Sequence, residues 1–275
     1  MGRHAHEHDR ARPPAVAGRF YPDRPEQLSA ALAQLMPHDD APARARLLVG
    51  PHAGWMYSGA IAGATWAATS VPDRVILLAP NHTGAGVSAS LWSGGPWLLP
   101  GGAIAIDEEL RAALSAVAPL QLDAQAHLRE HAIEVHLPLL RARNPAARIV
   151  PIVLAGMSAA ACAALGRAIA GVLARAGDGV LLVASTDMSH YVTAQEAATL
   201  DGHALAHVLA LDPDGLHRTV QREHISMCGY VPTCVGLHAA LAAGAQTARL
   251  VRYDHSGSVS GDLARVVGYA GLLVA

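Results

Sequence analysis

Apolar residues in this chain gather into short continuous runs, separated by longer stretches with helical spacing. Residues 46–50, 74–79, 148–154 and 179–185 are apolar runs of strand length, and two more lie at 248–253 and 266–274. Between them, residues 58–70, 158–175, 194–211, 213–223 and 231–243 read as helices, with Ser58 as N-cap of the first and Gly177 as the stop of the second. Near-continuous apolar strands alternating with helices belong to a sheet covered on both faces. The pattern predicts an α/β fold, a three-layer α/β/α sandwich around a central, mostly parallel mixed sheet. No repeat or linker divides the chain. Residues 1–12 read as a flexible tail, with His4, His6 and His8 solvated, and residues 13–275 as a single domain.

In such a sheet, ligands bind outside the carboxyl ends of the strands. The run ending at Gly50 is followed by Pro51-His52, the next by Pro80-Asn81-His82, and the one ending at Ser185 by Thr186-Asp187-Met188-Ser189-His190. His52 and His82 are one strand-helix-strand unit apart, which predicts parallel strands. If adjacent, those strands lie ~4.8 Å apart and send both imidazoles over one edge. Two converging neutral imidazoles begin a metal site. Asp187 and His190 read as an acid/base pair or as further ligands. Residues 127–136 pack three His and two Glu into ten positions, too dense for an ordinary solvated stretch, but their spacing singles out no ligand. Cys228, in a loop before Gly229, reads as a ligand or reactive thiolate. Cys162 and Cys234 read as core residues, and His203 and His207 as the solvated flank of a helix.

Composition narrows the function classes. The chain has 275 residues, 52% hydrophobic and 15% charged, which is a globular composition. A net charge of -2 and 4% aromatics leave neither an electrostatic footprint nor stacking platforms for nucleic acid. All 20 basic residues are Arg, which excludes a lysine Schiff base or a phosphate-binding P-loop lysine. Three Cys make no disulfide framework and predict a reducing, cytoplasmic setting. No apolar stretch reaches the ~20 residues that span a bilayer, and the polar first residues lack a signal sequence's apolar segment, so no membrane partner is expected.

Five segments occur in order: 51–59 (PHAGWMYSG), 80–82 (PNH), 134–138 (EVHLP), 185–191 (STDMSHY) and 227–229 (MCG). With residues 16–22 (VAGRFYP) and 258–261 (SVSG), they resemble the Memo family, whose bacterial and archaeal members include protein B of the AmmeMemoRadiSam system. The resemblance covers about residues 13–275. Tyr191 stands where the motif can carry another aromatic. The family is similar in fold to the class III extradiol dioxygenases, which hold nonhaem iron(II). The resemblance implies His52, His82 and Cys228 as metal ligands, Asp187 and His190 lining the same pocket, and Glu134 and His136 nearby with them as catalytic residues. A Cys replaces the dioxygenase carboxylate, and a softer thiolate suits iron, copper or zinc better than magnesium. Iron(II) is the first expectation, copper or zinc the next. The implied activity is an oxidoreductase on a small molecule, with His190 as acid/base and Asp187 orienting. Alternatives are an iron- or copper-binding redox regulator, a zinc hydrolase, and a scaffold for a protein partner. The resemblance further implies a pathway link to a radical-SAM protein and an AMMECR1-like protein. The chain has no C-x-x-x-C-x-x-C motif and is not itself the radical enzyme.

Overall fold

The apolar runs assemble into one mixed sheet in the computed structural model, which describes residues 10–39, 41–177 and 179–275. The strands, in chain order, are β1 (Leu47–Gly50), β2 (Arg74–Pro80), β3 (Ala89–Trp92), β4 (Trp97–Leu99), β5 (Gly102–Ile106), β6 (Gln121–Asp123), β7 (Arg148–Leu154), β8 (Val180–Ser185), β9 (His190–Val192), β10 (Ala248–His255) and β11 (Val266–Val274). The main path runs β10-β11-β1-β8-β2-β7-β3-β6. Its centre, β1-β8-β2-β7, is parallel, while β11 and β10 close one side antiparallel.

Side chains alternate across the sheet, as a period of two requires. Leu47, Ile76, Val150 and Leu182 enter one core, shared with the helices Ala159–Ala176, Ala194–Leu209 and Tyr230–Ala242. Leu48, Leu77, Ile149 and Val183 enter the other, shared with Pro25–Leu35 and Trp55–Ala67. Both faces are therefore covered, which is why the central strands carry no polar alternation. Cys162 and Cys234 are buried in the first core, and His203 lies exposed, as the sequence pattern indicates.

The structure corrects three expectations. β1 and β2 are not neighbours, because β8 inserts between them and pairs with both. Consecutive strands of a crossover unit need not be adjacent, and a later strand can fill the gap. The first long helix starts at Trp55, not Ser58, with Gly54 as N-cap. Burial of Trp55, whose Nε1 donates to the Val135 carbonyl at 3.2 Å, anchors that earlier turn, and Ser58 Oγ instead donates back to the Ala53 carbonyl. The tail read as residues 1–12 ends sooner, since Arg12 is fully buried and its backbone bridges to Trp97. The physical reason is Glu134, which neutralises the guanidinium at 2.7 Å. His4, His6 and His8 lie outside the described residues. The 18-residue helix Ala159–Ala176 is long and apolar enough to cross a bilayer by length and composition alone. In the fold it packs on Tyr230–Ala242, with Gly166 against the Val235 backbone and His238.

Candidate metal centre

Three adjacent parallel strands deliver the site. His52 follows β1, Asp187 follows β8 and His82 follows β2, all at the same carboxyl edge. The insertion of β8 therefore places Asp187 between the two histidines. His52 and His82 still meet, with ring centroids 5.1 Å apart. A third ring, His131, comes from the loop after the short helix Gln125–Leu128 and lies 5.3 Å from His52 and 4.7 Å from His82. One ring nitrogen from each of His52, His82 and His131 falls within 4.8 Å of the others. His52 is buried, whereas His82 and His131 are partly exposed, so the group opens to solvent on one side.

Nδ1 of each ring lies against a neighbouring side chain. Nδ1 of His82 bonds Oε1 of Glu130 at 2.9 Å, and the His82 backbone N–H donates to Oε2 at 2.6 Å. The same buried carboxylate accepts the backbone N–H groups of His131 and Ala132 and stands 3.3 Å from Nδ1 of His131. Nδ1 of His52 bonds Ser185 Oγ at 2.7 Å. Engaging one nitrogen to aim the other is how proteins orient metal-binding histidines.

Cys228 reaches the site from the turn before Tyr230–Ala242. Its Sγ is 3.3 Å from Nε2 of His52 and accepts the Asp187 backbone N–H at 3.3 Å. Asp187 Oδ1 accepts the backbone N–H groups of His52 and Ala53, and its Oδ2 is 3.9 Å from Nε2 of His52. His190 lies further out, held to the chain by Ser226: its backbone N–H donates to Ser226 Oγ, and Nδ1 donates to the Ser226 carbonyl at 2.9 Å.

Burial, reinforced by the neighbouring imidazoles, drives the His52 pKa well below its ordinary value. Burial also lowers that of His131, against the pull of Glu130. For His82, burial acts downward, but the hydrogen bond and charge of Glu130 outweigh it and the net direction is up. Burial raises Asp187 to about 6, against the N–H bonds it accepts. Burial and the charge of Asp187 push the Cys228 thiol up. In the bare site, therefore, His52 and His131 are neutral donors and Cys228 is a thiol at neutral pH.

Of the residues singled out in the sequence, His52 and His82 join the metal-capable group and Cys228 and Asp187 stand beside His52; the structure adds His131 and Glu130. Both lie in the dense 127–136 cluster, whose composition was the available signal. Its spacing was uninformative because residues 131–133 form an irregular turn before a 3₁₀ turn at Glu134–His136. Of the other three members, Glu134 and His136, expected as catalytic residues, go elsewhere. Glu134 binds Arg12, the backbone N–H groups of Ala15 and Val16, and the Tyr21 hydroxyl, which occupies both its oxygens. His136 is buried behind β1 and β8, between Trp66 and Ser185.

A family model described as Memo-like protein matches residues 12–273. A MEMO1 family protein of Methanopyrus kandleri is 36% identical, over 95% of this chain and 98% of its own length. One from Aquifex aeolicus is 38% identical, over 96% and 99%, and one from Methanosarcina barkeri is 38% identical, also over 96% and 99%. Among solved structures, an uncharacterized protein of Escherichia coli K12 superposes with a TM-score of 0.51 over 84% of this chain and all of that one, at 13% identity, a likeness of fold alone.

Proposed function

The chain belongs to the Memo-like family, and we propose that it is a metalloprotein whose mononuclear centre is held by His52, His82 and His131, with Cys228 as a sulfur donor. The observation that carries this reading is the approach of three imidazole nitrogens to within 4.8 Å of one another, with Glu130 against Nδ1 of His82 and His131 and Ser185 against Nδ1 of His52. Rings gathered this closely, with His52 and His131 held neutral and His82 paired with Glu130, fit a cation. Nitrogen donors with one sulfur suit iron(II), copper or zinc and disfavour magnesium or calcium. Iron(II) is the metal we propose first. When bound, it would supply a Lewis acid and a one-electron couple.

As a catalyst, the chain would be an oxidoreductase of the dioxygenase-like kind acting on a small molecule at the open side of the triad. His190 then exchanges a proton through Nε2, since its Nδ1 is fixed on the Ser226 carbonyl. Asp187 keeps one oxygen on the His52 and Ala53 amides and turns the other toward the centre. One observation favours a second reading, a non-catalytic iron- or copper-binding protein. Cys228, beside His52, offers a fourth protein donor, and a closed four-ligand sphere is typical of sites that hold a metal without turning over.

Anaerobic titration of metal-free protein with iron(II), zinc(II) and copper(I) tests the centre. One equivalent should bind tightly to the wild type and fail to bind His52→Ala, His82→Ala or His131→Ala. Undiminished affinity and stoichiometry in two of these variants would sink the assignment. Oxygen uptake by the iron-loaded protein over a panel of phenolic substrates then separates catalyst from binder.

A further inference from the structure

Behind the three histidines runs a chain of buried polar groups that metal ligation does not use. Nε1 of Trp66 lies 3.1 Å from Nδ1 of His136. Nε2 of His136 lies 3.1 Å from Ser185 Oγ. That hydroxyl is 2.7 Å from the Ala132 carbonyl oxygen and 2.7 Å from Nδ1 of His52. Trp66, His136, Ser185 and His52 are all essentially inaccessible to solvent.

The two ends of this chain have fixed polarity, because an indole N–H only donates and a carbonyl oxygen only accepts. Trp66 donates to Nδ1 of His136, so that nitrogen is bare. Burial holds the His136 pKa down to about 4, so the ring is neutral and its one proton sits on Nε2. That proton is donated to Ser185 Oγ. Ser185 has a single proton to give. The Ala132 carbonyl has no other hydrogen-bond donor among the described residues, and giving it the Ser185 proton satisfies it. The remaining lone pair of Ser185 then accepts from Nδ1 of His52. If Ser185 instead donated to His52, the buried Ala132 carbonyl would be stranded. One distribution of protons satisfies every member.

We propose that Trp66, His136 and Ser185 form a lock that holds His52 in its Nδ1–H tautomer and keeps the Nε2 lone pair facing the centre. The lock makes these three positioning residues, and its importance for ligation rests on the metal-centre reading above. The geometry on the far side of His52 agrees with it. Nε2 faces the Cys228 sulfur at 3.3 Å, a contact that a thiol proton donated to a bare nitrogen fits. The sulfur in turn accepts the Asp187 backbone N–H. Ser185 also grips the residue next to His131 through the Ala132 carbonyl, so one hydroxyl sets the tautomer of one ligand and tethers the loop of another.

The test reads the imidazole nitrogens of metal-free protein by two-bond proton–nitrogen correlation at neutral pH, with signals assigned from His52→Gln and His136→Gln. His52 should show a protonated Nδ1 and a bare Nε2, and His136 the reverse. Ser185→Ala should leave His52 without a single tautomer and weaken zinc binding by about 10- to 100-fold, the range found when outer partners of metal ligands are removed. Ser185→Thr, which keeps the hydroxyl, should restore both. Trp66→Phe should release His136 to exchange tautomers. A wild-type His52 protonated on Nε2 would overturn the proposal, as would Ser185→Ala with tautomer and affinity unchanged. Should Ser185→Ala not fold, the wild-type spectrum decides alone. The expected tautomers in a protein that binds no iron, zinc or copper would uphold the lock and defeat the metal centre.

Discussion

The sulfur of Cys228 stands 3.3 Å from Nε2 of His52 although 176 residues separate them. The approach depends on the next residue. A Cβ on Gly229 would lie 2.1 Å from the Ser185 carbonyl oxygen, so only glycine lets the Cys228 turn press against the end of β8. Cobalt(II) substitution tests whether this contact becomes a bond. The cobalt-loaded wild type should show a sulfur-to-cobalt charge-transfer band. Cys228→Ser should lose that band and bind zinc about tenfold or more weakly, because the softer donor is gone. Identical near-ultraviolet spectra for the two proteins would remove Cys228 from the coordination sphere and leave the three imidazoles alone.

Glu130 is the hub of the ligand loop. One buried carboxylate fixes the ring and backbone of His82 and the backbone of His131. Its pKa is lowered: burial acts upward, but the His82 hydrogen bond and charge, with the backbone N–H bonds, outweigh it. Glu130→Gln keeps the shape but removes the charge and adds N–H donors where only acceptors fit. Metal affinity should fall about 10- to 100-fold by competitive chelator titration. A loss smaller than twofold would mean that His82 and His131 are oriented by packing and not by this carboxylate.

Much of this arrangement was legible in the chain. The central strands announced themselves because burial on both faces leaves an unbroken apolar run, as in Val75-Ile76-Leu77-Leu78 of β2. Residues placed at the ends of those strands, His52, His82 and Asp187, were legible for the same reason. Strand order was not, since the position of β8 between β1 and β2 is set by long-range packing that no local pattern encodes. Segment 83–147 was opaque too. Its strands β3–β6 are three to five residues long, too short to establish a period. His131 and Glu134 were therefore indistinguishable by spacing, and only the course of the turn at 131–133 sends one toward His52 and the other toward Arg12.

That divergence makes Glu134 and Arg12 a test of fold stability. Both side chains are fully buried and 2.7 Å apart. Arg12 also donates to the His127 and Glu130 carbonyls and lies over the Trp97 ring, while Glu134 holds Ala15, Val16 and Tyr21. Removing either charge leaves the other buried and unpaired. Arg12→Ala and Glu134→Ala should each cost about 3–5 kcal/mol in urea unfolding of the metal-free protein. Removing both should cost clearly less than the sum, because the two residues share one network. Additive losses would show that the pair is not coupled.

His127 contributes to the acid response of the fold, beside His52 and His136. It is fully buried against Trp92 and Trp97, and bonds Ser90 through Nε2. Burial, then the nearby charge of Arg12, lower its pKa to about 3. In the unfolded chain the ring titrates near 6.5. Between those values the unfolded state holds a proton that the folded state refuses, so this residue's contribution is full above pH 6.5 and is lost as the pH falls. Linkage puts the loss at about 2 kcal/mol between pH 7.5 and pH 5. Asp187, raised to about 6, pulls the other way over part of this range, so the comparison must be with a variant and not with the slope of the wild type. His127→Gln cannot take up that proton. Its stability deficit against wild type, measured by urea unfolding at both pH values, should shrink by about 2 kcal/mol at pH 5. A deficit independent of pH would mean that His127 takes up its proton as readily in the folded protein as in the unfolded chain, and one that grows at pH 5 would mean that it is already protonated in the folded state.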